Sequence, residues 1–146
     1  MIVADHCAGS AGKTALPVKK YEIPMMVYAP SHVRPQRVDR LASQIDVAPT
    51  VLGLLNASYR TKFFGRDILA PGPPRERAFL STYQKLGFMD DNSLVVLEPG
   101  KKIGSYAYRR DDGLLTPAPD KHRLVEETLA YYQGGNIMYK NRFMSR

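Results

Sequence analysis

Asp5 and His6 stand side by side at the end of a short apolar run, Ile2-Val3-Ala4. A carboxylate oxygen and a neutral imidazole nitrogen are both good ligands for Mn²⁺ or Zn²⁺. Ligand sites in α/β sheets also gather at the carboxyl ends of strands. Asp5 and His6 are therefore the candidate metal ligands. Taken alone, such a dipeptide is more often simply a polar strand end, so its weight depends on the motifs downstream of it. Cys7 comes next, but adjacent side chains seldom converge on one ion, and a small buried thiol is the simpler reading. His32, in a basic loop, and His122, at the start of a terminal helix, both read as solvated. Asp46 stands in the sharpest motif of the chain, and its expected role is a helix N-cap whose carboxylate accepts backbone N–H groups.

The elements that must position these groups emerge from local pattern. Ile2 and Val3 read as the end of a buried strand that began upstream, because buried parallel strands usually run about five or six residues. Residues 7–14 are rich in Gly, Ser and Ala and predict a loop. Met25 to Ala29 has the composition of a core strand, ended by Pro30. Ser43 to Leu55 is the clearest helix, with Pro49 in the first turn and Val47, Val51, Leu54 and Leu55 forming an apolar stripe.

The Ala-Pro-Gly-Pro-Pro stretch at 70–74 is the best internal boundary. It divides the chain into 1–70, with the candidate ligands, one strand and one helix, and 75–146. In the second part, 78–83, 85–89, 93–97 and 103–108 are strand-like runs separated by Asp-Asp-Asn, Pro-Gly and Asp-Asp-Gly turns. That pattern predicts a small antiparallel meander. A terminal helix is expected from Asp120 to about Met144, with Gly134-Gly135 bending or ending it. Tyr131, Tyr132 and Tyr139 read as core or interface residues.

Composition bounds the function classes. The 146 residues are 44% apolar and 24% charged, which suits one globular chain with a real core. A single cysteine excludes an internal disulfide. No stretch approaches the ~20 apolar residues of a membrane span, and no signal pattern is evident at the N-terminus. The net charge of +7 favours encounters with anions. The basic residues are scattered, however, so a nucleic-acid partner is not expected.

The order of the motifs carries more than any one of them. Asp5-His6-Cys7 with Gly12-Lys13 is followed by Tyr21-Glu22-Ile23-Pro24 and Val27-Tyr28-Ala29-Pro30. Next come Ser43-Gln44-Ile45-Asp46-Val47-Ala48-Pro49-Thr50-Val51-Leu52-Gly53-Leu54-Leu55 and Phe64-Gly65-Arg66-Asp67-Ile68-Leu69. This series resembles the C-terminal part of the sulfatase family within the alkaline phosphatase superfamily. It is most similar to lipoteichoic-acid-synthase-like phosphoglycerol transferases. The likeness covers the first half well and the meander and terminal helix more loosely.

The resemblance implies an α/β fold: the C-terminal portion of an alkaline-phosphatase-like α/β/α architecture, a partial sheet with helices plus a small antiparallel meander and a terminal helix. It implies that Asp5 and His6 bind the catalytic divalent metal, Mn²⁺ first, with Mg²⁺, Ca²⁺ or Zn²⁺ as alternatives, and that Lys13 contacts the substrate anion. Lys13 reads equally well as a solvated loop lysine.

The family's nucleophile, a threonine or a modified cysteine, lies far upstream of its Asp-His pair. Cys7 lacks the C-x-P-x-R setting of the modified cysteine, so no catalytic residue is expected here. The expected function is that of a fragment of a metal-dependent phosphoglycerol transferase or sulfatase, inactive alone. Its partners would be the rest of the catalytic domain and an anionic ester, and it would self-associate in their absence. The parent would sit in a bacterial inner membrane with its catalytic domain outside the cytoplasm. The reading from a different class is a non-catalytic basic module that binds anions or a partner protein.

Overall fold

The structure, a computed structural model, describes residues 1–7, 16–72 and 75–144. Strand β1 (Ile2–Val3) is followed by β2 (Met25–Met26) and helix α1 (Val47–Leu54). Then come β3 (Arg77–Ser81), β4 (Leu86–Asp90), β5 (Ser93–Glu98), β6 (Lys102–Tyr108), β7 (Leu115–Pro117) and helix α2 (His122–Lys140). β3 to β7 form a five-stranded antiparallel sheet in sequence order, and β1 and β2 form a separate two-stranded ribbon. The expected mixed α/β class, with a meander and a terminal helix, is what the chain adopts.

The meander is buried on both faces, which is why its central strands read as almost unbroken apolar runs. On one face Ala78, Leu80, Met89, Leu94, Val96 and Tyr108 meet Leu16 and Val18 from the N-terminal part. On the other, Phe88 and Val95 meet Leu124 of α2, flanked by Phe79, Leu97, Val125, Tyr131 and Tyr132. Tyr131 stands edge-on to Phe79 at 5.1 Å and stacks on Phe88 at 5.3 Å between ring centroids, geometries that suit the aromatic quadrupoles. Tyr132 donates its hydroxyl to the carbonyls of Leu80 (3.1 Å) and Gly87 (2.8 Å). That bond lets a phenol sit in the apolar layer, and burial pushes its pKa up.

Several expectations are corrected. β1 does not lie in a buried parallel sheet: Ile2 pairs antiparallel with Met26 and Val3 with Met25, and Ile2 is 69% exposed. The core strand expected over 25–29 pairs only at Met25–Met26, and Met26 and Tyr28 face outward. β7 was not foreseen, because three residues ending in Pro117 carry no alternation to read; proline suits this edge position. α2 runs unbroken through Gly134-Gly135. Tyr131 and Tyr132 pack into the core as expected, but Tyr139 is exposed.

Asp46 is corrected too. It stands at the N-cap position of α1 as expected, but its carboxylate accepts nothing from that helix; it closes a capping box with Ser43 in the preceding turn and is the centre of a buried network that joins the N-terminal part to the sheet. Asp46 Oδ2 accepts from Ser43 N (2.9 Å) and Arg77 Nη1 (3.1 Å), and Oδ1 accepts from Arg66 N (2.8 Å) and Arg77 Nη2 (2.8 Å). Asp46 is 1% and Arg77 3% exposed. Arg77 also donates to the Phe64 carbonyl and lies over the Phe79 ring at 5.0 Å. Thr50 extends the network, donating to the Asp46 carbonyl (2.6 Å) and accepting from Ile68 N (3.1 Å). Gly65 makes the arrangement fit: a Cβ there would run into the Ile45 carbonyl. The Ser43-Gln44-Ile45-Asp46 and Phe64-Gly65-Arg66-Asp67 blocks are thus two halves of one joint.

Candidate metal-ligand turn

Asp5 and His6 lie just beyond β1, where the chain leaves the ribbon after a last backbone bond from Ala4 N to the Pro24 carbonyl at 3.3 Å. Both side chains face solvent, Asp5 91% and His6 80% exposed. Their orientation is set locally. Asp5 Oδ1 accepts the His6 backbone N–H at 3.0 Å. His6 Nδ1 lies 2.9 Å from the Cys7 carbonyl oxygen. A carbonyl can only accept, so Nδ1 carries the proton and the neutral ring keeps its lone pair on Nε2. That nitrogen is 3.7 Å from Asp5 Oδ1.

The donor set fits a divalent ion. Metal–oxygen and metal–nitrogen bonds of about 2.1 Å can span at most about 4.2 Å across one ion. Donor atoms 3.7 Å apart therefore lie within reach of a common centre. A hydrogen bond from the second ring nitrogen to a carbonyl is also the usual companion of a ligating histidine. The Cys7 carbonyl first, and the Asp5 carboxylate second, raise the His6 pKa above its ordinary value. Among the described residues no three of His, Cys, Asp and Glu gather in one place, so the turn offers two side-chain donors.

The turn is tied back to the body of the protein by a residue to which the sequence assigns no role. Gln44 Nε2 donates to the Asp5 carbonyl at 2.9 Å, with a longer approach of 3.4 Å to the Ala4 carbonyl. The only available sign was its place in the Ser43-to-Leu55 block, two residues before the Asp46 joint.

The other candidates are elsewhere. Lys13 lies outside the described residues. Cys7 is half-buried rather than enclosed. His32 is exposed and contacts Ser31 Oγ. His122, the first residue of α2, is exposed beside Glu126. A depression of about 400 Å³ beside the start of α2 is lined by Arg75, Asp90, Ser93 and Lys121 among others. Its cations are already engaged: Arg75 with Asp90 and Glu127, and Lys121 with Ser93 Oγ. No helix among the described residues is long and apolar enough to cross a membrane.

Residues 1–57, which contain the ligand turn and the block that anchors it, match the sulfatase family model. Across 97% of its length the chain superposes on a crystal structure of a protein in the alkaline phosphatase superfamily from Vibrio parahaemolyticus, with a TM-score of 0.90 and 29% identity. It spans 35% of that longer chain. The first 57 residues are thus similar to the sulfatase family, and the chain as a whole shares its fold with about a third of an alkaline phosphatase superfamily protein.

Proposed function

We propose that this chain is the part of a metal-dependent phosphoglycerol transferase or sulfatase that supplies Asp5 and His6 to the catalytic cation, and that alone it turns over no ester. The likeness of its first 57 residues to sulfatases, and of the whole chain to an alkaline phosphatase superfamily protein, suggests an enzyme of phosphate or sulfate esters. Members of these families are generally dependent on a divalent metal. The observation that carries the reading is the His6 ring. Its Nδ1 is spent on the Cys7 carbonyl and its Nε2 is left open beside a nearly bare carboxylate.

When bound, the cation neutralises ester oxyanions and activates a nucleophile. Asp5 contributes charge and one oxygen donor; His6 contributes a directional nitrogen and holds no proton there when neutral. Lys13 is assigned to the substrate anion. Two side-chain donors hold an ion weakly, since such sites usually use three or four protein ligands. The nucleophile and the remaining ligands belong to the rest of the catalytic domain, which is also the natural cover for exposed Ile2, Met26 and Tyr28. Without that cover the ribbon favours self-association. Phosphoglycerol transfer is preferred over sulfate hydrolysis because the Ser43-to-Leu55 block most resembles that branch, whose catalytic domains stand outside the bacterial inner membrane.

A Mn²⁺ titration of the ¹⁵N-labelled chain tests the assignment. Paramagnetic broadening should begin at Asp5, His6 and Cys7 and should vanish there in Asp5→Ala and His6→Ala. Broadening spread over surface carboxylates and indifferent to both substitutions sinks it. Aryl sulfate and phosphodiester turnover should not exceed that of Asp5→Ala.

A further inference from the structure

We infer that Gln44 is the positioning residue of the ligand turn: its carboxamide fixes the peptide groups of Asp5 and Ala4, and through them the direction in which Asp5 and His6 present their donors. This rests on the metal-ligand reading above.

Three observations carry it. The bond is long in sequence and local in space: Gln44 lies 39 residues beyond Asp5, yet its Nε2 is 2.9 Å from that residue's carbonyl oxygen. Its orientation is chemically determined. Both nearby groups are carbonyl oxygens, which accept only, so the NH₂ end of the amide must face them. Finally, its anchor is rigid. Gln44 stands between Ser43, whose N–H is held by Asp46, and Asp46 itself, which is locked to Arg77. Among the described residues the turn, by contrast, has little else to hold it. Its two side chains are exposed, the other hydrogen bonds of Asp5 and His6 join adjacent residues, and the ribbon's last bond is from Ala4 N to the Pro24 carbonyl. β1 and β2 contribute a ribbon of only two residue pairs. Gln44 is therefore the link through which the buried joint dictates where an exposed ligand pair sits. Outer partners of this kind commonly set metal affinity without touching the ion.

Gln44→Met keeps the length and removes the donor; Gln44→Glu keeps the shape and sets an acceptor against the two carbonyls. Gln44 is exposed, so both variants should melt with the wild type. Two readouts should move. In the metal-free protein, the His6 imidazole ¹⁵N shifts should pass from one dominant Nδ1–H tautomer to a mixture, as the turn loses its fixed geometry. The Mn²⁺ concentration that half-broadens the His6 amide should rise by about tenfold in Gln44→Met. Unchanged ¹⁵N shifts and unchanged broadening in Gln44→Met, in a chain whose wild type binds Mn²⁺ at His6, overturn the positioning role and leave the ligand assignment standing. A wild type that shows no Mn²⁺ effect at His6 overturns the ligand assignment, and this inference with it.

Discussion

Two aspartates of this chain each face a nitrogen base, and they could hardly be treated more differently. Asp46 is buried, and its two oxygens accept four hydrogen bonds, two of them from Arg77. Asp5 is exposed, and among the described residues its carboxylate accepts one, from the next residue's N–H. The first is saturated and has no lone pair in a position to take a ligand; the second has nearly all of its acceptor capacity in reserve. A carboxylate in a sharp motif can therefore be structural, while one in a plain turn is left with acceptor sites to offer. The difference is counted in unfilled acceptor sites rather than in motif strength.

The contrast is broken most severely at the buried pair. Arg77→Ala leaves the Asp46 charge enclosed without its partner and should cost about 3–5 kcal/mol in urea unfolding. Replacing both, as Asp46→Leu with Arg77→Met, should cost less than either change alone, because no uncompensated charge remains. Next is Thr50→Val, which keeps the shape but leaves the Ile68 N–H without its acceptor. About 1–3 kcal/mol should be lost, again by urea unfolding.

Glu76 sharpens the comparison as an intermediate case. Burial opposes its ionisation, but the Leu41 N–H and Arg110 more than offset this, and its pKa lies below the usual carboxylate value. A depressed native pKa contributes stability above the unfolded-state value, and that contribution is lost as pH falls toward the native one. Glu76→Gln should therefore be destabilising near neutrality and should flatten the acid limb of a melting-temperature profile below about pH 4.5. The smallest effect on stability belongs to Asp5→Ala and His6→Ala, whose melting curves should overlie the wild type while Mn²⁺ broadening at the turn disappears.

Much of the fold was legible because the meander speaks in local signals. Turn residues fall where the chain reverses, with positive φ at Asp91, Gly100 and Gly113, and the apolar runs between them became β3 to β6. The ribbon was misread for the opposite reason. Ile2-Val3 and Met25-Met26 are apolar, and apolar residues predict burial unless their neighbours are known. Asp46 was misread because its partner, Arg77, is 31 residues away, and no local pattern pairs a capping aspartate with a distant arginine. Residue type and order single out Asp5 and His6 as candidates, and the structure places both in one exposed turn; Gln44 gave no such signal, since its bond to the Asp5 carbonyl spans 39 residues and is made by an ordinary polar side chain.

The neighbour-to-neighbour order of β3 to β7 has a kinetic consequence. Every pairing in that sheet joins segments adjacent along the chain, so each can zip onto the last through a short reversal as the polypeptide lengthens. Closure entropy grows only slowly with loop size, about 0.6 kcal/mol per doubling, but sheets built from near neighbours still assemble faster than those that wait for remote strands. The meander should thus be in place early, as a template on which the Asp46 joint, and the Asp5-His6 turn bonded to Gln44, settle last.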